Sequence, residues 1–356
     1  MADWGLRSAN GKISASIVAA LGCLIFASCK EKTPVVEPVG SEPPTTAPST
    51  ASTPAPTAKP AANIATPQPK PAAAKPAAPV PAELWKEFSG ERAFAEVRRQ
   101  VEIGPRPSGS AELETARTQI VQFLTGQGWE VERQEFTDET PRGAMKFANL
   151  IARFAGSGRA AQKAIVCSHY DTKRFSTIQF VGASDGASST GALLELARVL
   201  ALDPALAAKV ELVFFDGEEA LTSFTETDGL YGSRHYAKTL REGGRAAQFQ
   251  YAILWDMIGD KDLTITLPSD TPPELAKPIL AAAETLGVRE HFGYFDRQVY
   301  DDHVPLHTAR IPSIDLIDFD YLYWHTADDT LDKIGPSSLQ TIGAVTLFHL
   351  KKTLGK

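Results

Sequence analysis

The sequence predicts an α/β fold: a mixed, mostly parallel central sheet with helices on both faces. Two observations predict it. From residue 82 onward, short apolar runs typical of buried strands alternate with segments of helical period. Acids and histidines follow several of these runs, at the sheet edge where open α/β folds bind ligands. The run Val210–Phe215, which stops at Asp216-Gly217-Glu218-Glu219, shows both features in one stretch.

Residues 1–81 are expected to lie outside the folded domain. A basic start precedes the apolar run Ile13–Ala27, which is too short to span a membrane, and small residues come before Cys29. Residues 1–29 therefore resemble a bacterial lipoprotein signal peptide with Cys29 as the lipid anchor; cleavage by an ordinary signal peptidase is the alternative. The chain would then be an exported lipoprotein on the periplasmic face of a membrane, and Lys30 favours the outer membrane.

Residues 30–81 are rich in Pro, Ala and Thr and nearly free of large apolar side chains, which predicts a disordered linker. Residues 82–356 are long enough for one large domain. Within it Cys167 is the single cysteine, so no internal disulfide can form, and its apolar neighbours predict a buried, unreactive thiol.

Composition and motifs argue against several classes of function. The net charge is −7 and no basic cluster occurs, so nothing indicates binding to nucleic acid. The domain has no GxGxxG motif after a strand, no P-loop and no GxSxG motif. Dinucleotide-cofactor, nucleotide and nucleophile-elbow hydrolase functions therefore receive no support.

The domain begins with two predicted helices. Helical spacing of Phe94, Val97 and Val101 predicts a helix from about residue 90 to 101. A Gly- and Pro-rich turn at residues 104–109 follows. Ser110 is a suitable N-cap for the second helix, which glycines at 126 and 128 end.

Strands and helices then alternate to the C-terminus. Apolar or alternating runs predict strands at Trp129–Phe136, Phe147–Phe154, Ala164–Cys167, Val210–Phe215, Tyr251–Trp255 and Ile311–Ile317, with Leu263–Leu267 as an added strand. Apolar residues of helical period predict helices at Leu193–Leu200, Tyr231–Leu240, Glu274–Leu286 and Ser337–Thr353.

Candidate metal ligands fall in loops next to the predicted strands. Three acids at the mouth of one apolar strand repel one another unless a cation or a proton lies among them. Imidazole and carboxylate groups without thiolates suit a catalytic zinc site with an open position. A lone histidine, such as His235 or His349, is more often a packing or surface residue. The candidates are His169, Asp171, Asp185, Glu218, Glu219, Asp256, Asp301, Asp302, His303 and His325.

Seven of these residues resemble the pattern of the zinc-dependent aminopeptidase-like exopeptidases, over nearly all of residues 82–356: His169, Asp171, Asp185, Glu218, Glu219, Asp256 and His325. That superfamily contains di-zinc aminopeptidases and glutaminyl cyclases, which act with one zinc. Several local motifs are similar to the cyclase branch. They are HYDTK at 169–173, FVGASD at 180–185, FFDGEEA at 214–220, LYGSRH at 230–235, DDHVP at 301–305 and WHT at 324–326.

The resemblance implies a role for each matching residue. Asp185, Glu219 and His325 would hold one Zn²⁺, and the substrates would be the N-termini of peptides or proteins. Glu218 would move a proton from the substrate's amine to departing ammonia as N-terminal glutamine closes to pyroglutamate. Asp256 and Asp301 would assist around the leaving amide. The substrate pocket would include Phe224, Trp324 and His303.

Two alternatives stay open. In a di-zinc aminopeptidase, His169 and Asp256 would bind a second zinc, Asp185 would bridge, and Glu218 would activate water. The second alternative is a non-catalytic, lipid-anchored binding domain. The intact pair Glu218-Glu219 argues against it, because a binding domain does not need a proton carrier. The chain also departs from animal cyclases: Phe224 stands where they have tryptophan, and Ser168 precedes the loop histidine in place of cysteine.

Overall fold

The computed structural model of the protein describes residues 79–158 and 161–355. The predicted signal peptide with Cys29, and the predicted linker up to residue 78, lie outside the described residues. Among the helices of the described ranges, none combines the length and the apolar content that a membrane span requires.

The strands of the described residues form a six-stranded sheet and a separate pair. Across the large sheet the order is β1-β2-β4-β3-β5-β8, and all strands except β2 run in the same direction. The predicted mixed, mostly parallel sheet is confirmed. In chain order the strands are β1 (Trp129–Thr140), β2 (Gly143–Phe154), β3 (Ala164–His169), β4 (Val210–Phe215), β5 (Tyr251–Asp256), β6 (Ile265–Leu267), β7 (Phe292–Tyr294) and β8 (Ser313–Ile317).

Helices fill most of the connections between these strands. The second begins where predicted, because the Ser110 side chain accepts a hydrogen bond from the Leu113 N–H at 3.0 Å. In chain order the described α-helices are α1 (Gly90–Ile103), α2 (Ala111–Gly126), α3 (Ala187–Leu200), α4 (Pro204–Ala207), α5 (Tyr231–Glu242), α6 (Pro273–Thr285), α7 (His303–Thr308) and α8 (Pro336–Leu354).

The large sheet has an apolar core on each face. Neighbouring residues of a strand point to opposite faces. Val166 therefore joins a core with residues of α1, α3 and α8, whereas Cys167 joins a second core with residues of α5 and α7. Helices on both faces are confirmed, and Cys167 is free and buried, as predicted.

Four differences from the predicted elements have physical causes. β1 and β2 form a hairpin of two 12-residue strands, longer than predicted. The ends of the two strands next to the turn are polar and mostly exposed, so they carry no apolar signal in the sequence. α3 begins at Ala187 rather than Leu193, since its first turn consists of small residues without helical period. The added strand lies outside the large sheet, where β6 pairs with β7. α7, β7 and α4 are too short to produce a periodic pattern.

Candidate active site

The carboxyl ends of three parallel strands carry the acids and histidines to one sheet edge. β3 ends at His169, β5 ends at Asp256, and β4 is followed directly by Asp216-Gly217-Glu218-Glu219. His169 lies opposite Phe215 in the register of β3 and β4. Strand geometry therefore brings together side chains that are far apart in the sequence, as predicted.

The predicted metal ligands form one compact group. The Nε2 atom of His325 lies 3.4 Å from Asp185 Oδ2 and 3.3 Å from Glu219 Oε1. One donor atom from each residue lies within 4.8 Å of the other two. Both carboxylates are buried. Two buried carboxylates with one imidazole need further positive charge, so this donor set fits a divalent metal ion.

A second group shares Asp185 with the first. His169 Nε2 lies 3.3 Å from Asp185 Oδ1 and 3.1 Å from Asp256 Oδ1. The donor atoms of these three buried residues also lie within 4.8 Å of one another. The residues predicted for a second metal are therefore adjacent to the first group, with Asp185 between them.

The turn that carries Glu218 and Glu219 is fixed by Asp171. The carboxylate of Asp171 accepts the Glu218 N–H at 3.2 Å and the Glu219 N–H at 3.4 Å. Gly217 has φ +72°, and a Cβ there would lie 2.6 Å from the ring of Phe147. Asp171 is therefore a positioning residue, whereas the sequence indicated it only as a candidate metal ligand.

Asp216 supports the same turn from below. Its carboxylate accepts hydrogen bonds from Ser108 Oγ at 2.7 Å, from Arg117 Nη2 at 2.8 Å and from the Ala148 N–H at 2.8 Å. Burial, and then the charge of Asp171, raise the pKa of Asp216 to about 6. These contacts join α2 and β2 to the end of β4.

The loop before α3 is held by Asp329. The Asp329 carboxylate accepts the N–H groups of Ser184 at 2.8 Å and Asp185 at 3.1 Å, and the Tyr321 hydroxyl at 2.7 Å. Asp185 is therefore oriented by a second buried acid. Asp329 follows no predicted strand and belongs to none of the motifs, so only the structure identifies it.

Glu218 is buried beside these groups and lines the same cavity. Burial, and then the charge of Glu219, raise the pKa of Glu218 well above its usual value. Burial and the charge of Asp256 also raise the pKa of Asp301, to about 6. Carboxyl groups with raised pKa values can hold and release protons near neutral pH.

A cavity of about 420 Å³ opens above the metal-donor groups. The predicted catalytic residues Glu218, Asp256 and Asp301 line it, and so do the predicted pocket residues Phe224 and Trp324. These two residues are 40% and 43% exposed, which places them at the mouth. Sequence reasoning did not assign several further lining residues to the cavity. Lys173 belongs to the HYDTK motif and Ile317 ends β8, whereas the others lie on loops without motifs: Met257, Gln298, Val299, Tyr300 and Phe319.

The assignment of His303 to the substrate pocket is wrong. His303 does not line the cavity and is buried, with Nδ1 3.6 Å from Asp315 Oδ2 and Nε2 3.6 Å from Asp270 Oδ2. It is the first residue of α7, whereas Asp301 lies before that helix. Asp301, two residues earlier, lines the cavity instead.

Two residues at the cavity have left-handed backbone conformations that non-glycine residues rarely adopt. His325 has φ 56°, and Met257, directly after Asp256, has φ 47°. The Trp324 ring stacks on the His325 imidazole with a centroid separation of 4.4 Å. Backbone strain of this kind is common at functional sites, where the surrounding structure imposes it.

Comparisons with known proteins agree with this geometry. The sequence model of peptidase family M28 matches residues 149–349. The chain is 30% identical to the glutaminyl-peptide cyclotransferase of Drosophila melanogaster over 277 residues, covering 70% of this chain and 78% of that protein.

Two solved structures are also similar. A glutaminyl cyclase from an Acidobacteriales bacterium has 34% identity and a TM-score of 0.68, with 81% of this chain and 99% of that one covered. The glutaminyl cyclase of Porphyromonas gingivalis has 28% identity and a TM-score of 0.69, with 75% and 99% covered. The chain belongs to peptidase family M28 and, within it, to the glutaminyl-peptide cyclotransferases.

Proposed function

We propose that the protein cyclises the N-terminal glutamine of peptides or proteins to pyroglutamate and releases ammonia. One observation carries the proposal: Glu218, a buried carboxylate, lines the same small cavity as the three metal donors, in a chain similar to glutaminyl cyclases. A proton carrier beside an electrophilic site is what this ring closure requires.

We infer that Asp185, Glu219 and His325 hold a zinc ion. Bound there, zinc supplies Lewis acidity that polarises the γ-carboxamide carbonyl of glutamine. One zinc per chain is expected from the resemblance to glutaminyl cyclases. His325 lines the cavity, whereas His169 of the second donor group does not.

The chain's own residues orient the substrate and move its proton. The substrate's α-amine attacks its own γ-carbon, so a C–N bond forms as the bond to the carboxamide nitrogen breaks. Both reacting groups belong to one residue, and the pocket mainly holds them in a ring-closing geometry. Glu218 accepts the amine proton and gives it to the departing nitrogen, which leaves as ammonia.

Asp256 and Asp301 assist from the same wall of the cavity. Both line it, and burial raises the pKa of each. They can accept hydrogen bonds from the carboxamide N–H groups and keep the leaving nitrogen in place. Phe224, Trp324 and Val299 add apolar surface that excludes water, the competing nucleophile.

The second donor group, His169 with Asp185 and Asp256, favours a di-zinc aminopeptidase as the alternative. The deciding experiment incubates the zinc-loaded protein with a Gln-initiated peptide and with leucine amide. Ammonia release and loss of the free amine from the Gln peptide alone support the cyclase. Cleavage of leucine amide without ring closure supports the aminopeptidase, and no turnover of either supports a binding domain.

A matched pair of variants tests the two glutamates. Glu218→Gln should lower kcat by about 100-fold or more while zinc stays bound, because it removes the proton carrier only. Glu219→Gln should weaken zinc binding itself. Full activity in both variants would refute the assignment.

We also propose that the protein is an exported lipoprotein anchored through Cys29, on the periplasmic face of a membrane. The sequence around Cys29 supports the proposal. Incorporation of labelled fatty acid into the wild-type protein, and its loss in Cys29→Ala, is the expected result. Equal labelling of both, or labelling of neither, would contradict it.

A further inference from the structure

A second hollow adjoins the active-site cavity. It has a volume of about 350 Å³, and Lys173 lines both spaces. We call it the side groove. The lining residues that bear on its chemistry are Glu112, Lys173, Arg174, Phe175 and Ile178.

The two spaces differ in charge. Acids outnumber cations in the lining of the active-site cavity, where Asp185, Glu218, Glu219, Asp256 and Asp301 lie beside the single cation Lys173. In the side groove the charged residues are Lys173, Arg174 and the single acid Glu112, and its apolar lining residues include Phe175 and Ile178. A peptide that extends from the active-site cavity into the side groove would therefore pass Lys173 and Arg174.

The walls of the side groove are fastened to each other. The Arg106 N–H donates to Thr172 Oγ1 at 2.8 Å, and the Thr172 N–H donates to the Arg106 carbonyl at 3.1 Å. The buried Arg106 guanidinium donates to the carbonyl of Val181 at 3.0 Å, and Arg174 Nη2 donates to the carbonyl of Ser108 at 3.1 Å. A preformed groove loses little conformational entropy when a ligand binds.

Lys173 stands at the boundary. Its Nζ lies 3.2 Å from Glu219 Oε2 and 5.8 Å from the centre of the Phe224 ring. The first residue beyond a glutamine seated at the metal donors would therefore pass close to this ammonium group. A metal ion bound by Glu219 would compete with Lys173 for the same carboxylate. The Lys173 ammonium group could then pair with a carboxylate of the substrate.

We propose that the substrate peptide beyond its N-terminal glutamine lies in the side groove, and that Lys173 favours an acidic residue at the second position. This inference rests on the proposed cyclase activity. The apolar walls around Phe175 and Ile178 would accept the following residues, so peptides should be better substrates than glutaminamide.

The test compares kcat/KM for glutaminamide and for peptides Gln-X-Ala-Phe in which X is Glu, Ala or Lys. The wild-type protein should prefer X = Glu over X = Lys by about fivefold, the size of a partly exposed ion pair. Lys173→Met should bring that ratio close to one. The control Arg241→Met removes one positive charge from α5, in a different hollow, and should keep the wild-type ratio.

A ratio between two substrates of one variant does not change if part of the protein misfolds. Ile178→Ser should lower the ratio of peptide to glutaminamide turnover. Equal turnover of X = Glu and X = Lys by the wild type, or an unchanged ratio in Lys173→Met, would overturn the inference. Failure to cyclise glutaminamide and every peptide would instead overturn the proposed function.

Discussion

Replacing Asp171 with asparagine should loosen the turn that carries Glu218 and Glu219. One oxygen of the buried carboxylate accepts the Glu218 N–H, and the other accepts the Glu219 N–H. Asparagine offers a single acceptor oxygen, and its amide group would face one of these donors. At least one backbone N–H would then be buried without a partner.

The cost can be estimated from these contacts. An unsatisfied buried donor costs about 1–3 kcal/mol, and the remaining hydrogen bond loses its ionic character, about 1 kcal/mol more. After burial, the charge of Asp171 is the next cause of the raised pKa of Asp216, and removing that charge offsets roughly 1 kcal/mol. Asp171→Asn should therefore lower the free energy of unfolding by about 1–3 kcal/mol. A shift of roughly 1 Å at Glu218 should lower kcat/KM by about 100-fold.

Urea unfolding would measure the stability, and ammonia release from a Gln peptide would measure kcat/KM. Asp296→Asn is the matched control, because Asp296 is an exposed acid whose ion pair with Arg297 is open to solvent. If Asp171→Asn proves as stable and as active as Asp296→Asn, Asp171 is not a positioning residue.

Further predictions concern the same turn, the last helix and the metal. Gly217→Ala should lower the free energy of unfolding by about 1–2 kcal/mol for its left-handed backbone, and further because the new Cβ displaces Phe147. Gly244 also has a positive φ but open space around it, so Gly244→Ala should show only the backbone cost in urea unfolding. Burial lowers the pKa of His349 to about 4, so the folded state binds this proton more weakly than the unfolded state. Stability should therefore fall by about 2 kcal/mol between pH 7 and pH 5, and His349→Phe should show a smaller loss in urea unfolding at the two pH values. Chelation of zinc should lower the melting temperature, because a ligand at 100 times its Kd stabilises the folded state by about 2.7 kcal/mol. An unchanged melting temperature would contradict the zinc site.

The sequence predicted the strand ends of the site well, for a physical reason. An apolar run such as Val210–Phe215 determines both a buried strand and the position at which it stops. Acids placed directly after it must then lie at the sheet edge. His169 and Asp256 were found in the same way, because each lies at the end of such a run.

Residues on loops could not be located in this manner. Asp329 and Lys173 reach the site through turns whose path depends on tertiary contacts rather than on local period. His303 was misplaced because three adjacent polar residues precede Val304, and the sequence does not show that a helix begins at the third of them. The polar half of the β1–β2 hairpin was missed because it contributes little to the core.

The left-handed backbone at His325 has a consequence for the metal. Two of the inferred zinc ligands are held by buried acids. Asp171, just after the end of β3, holds the turn of Glu219, and Asp329 holds the loop of Asp185. The third is carried by a segment whose backbone is strained at that residue. A zinc ion bound there would link this segment directly to the turn after β4. Because the Trp324 ring stacks on the His325 imidazole, the same ion would also constrain one wall of the pocket mouth.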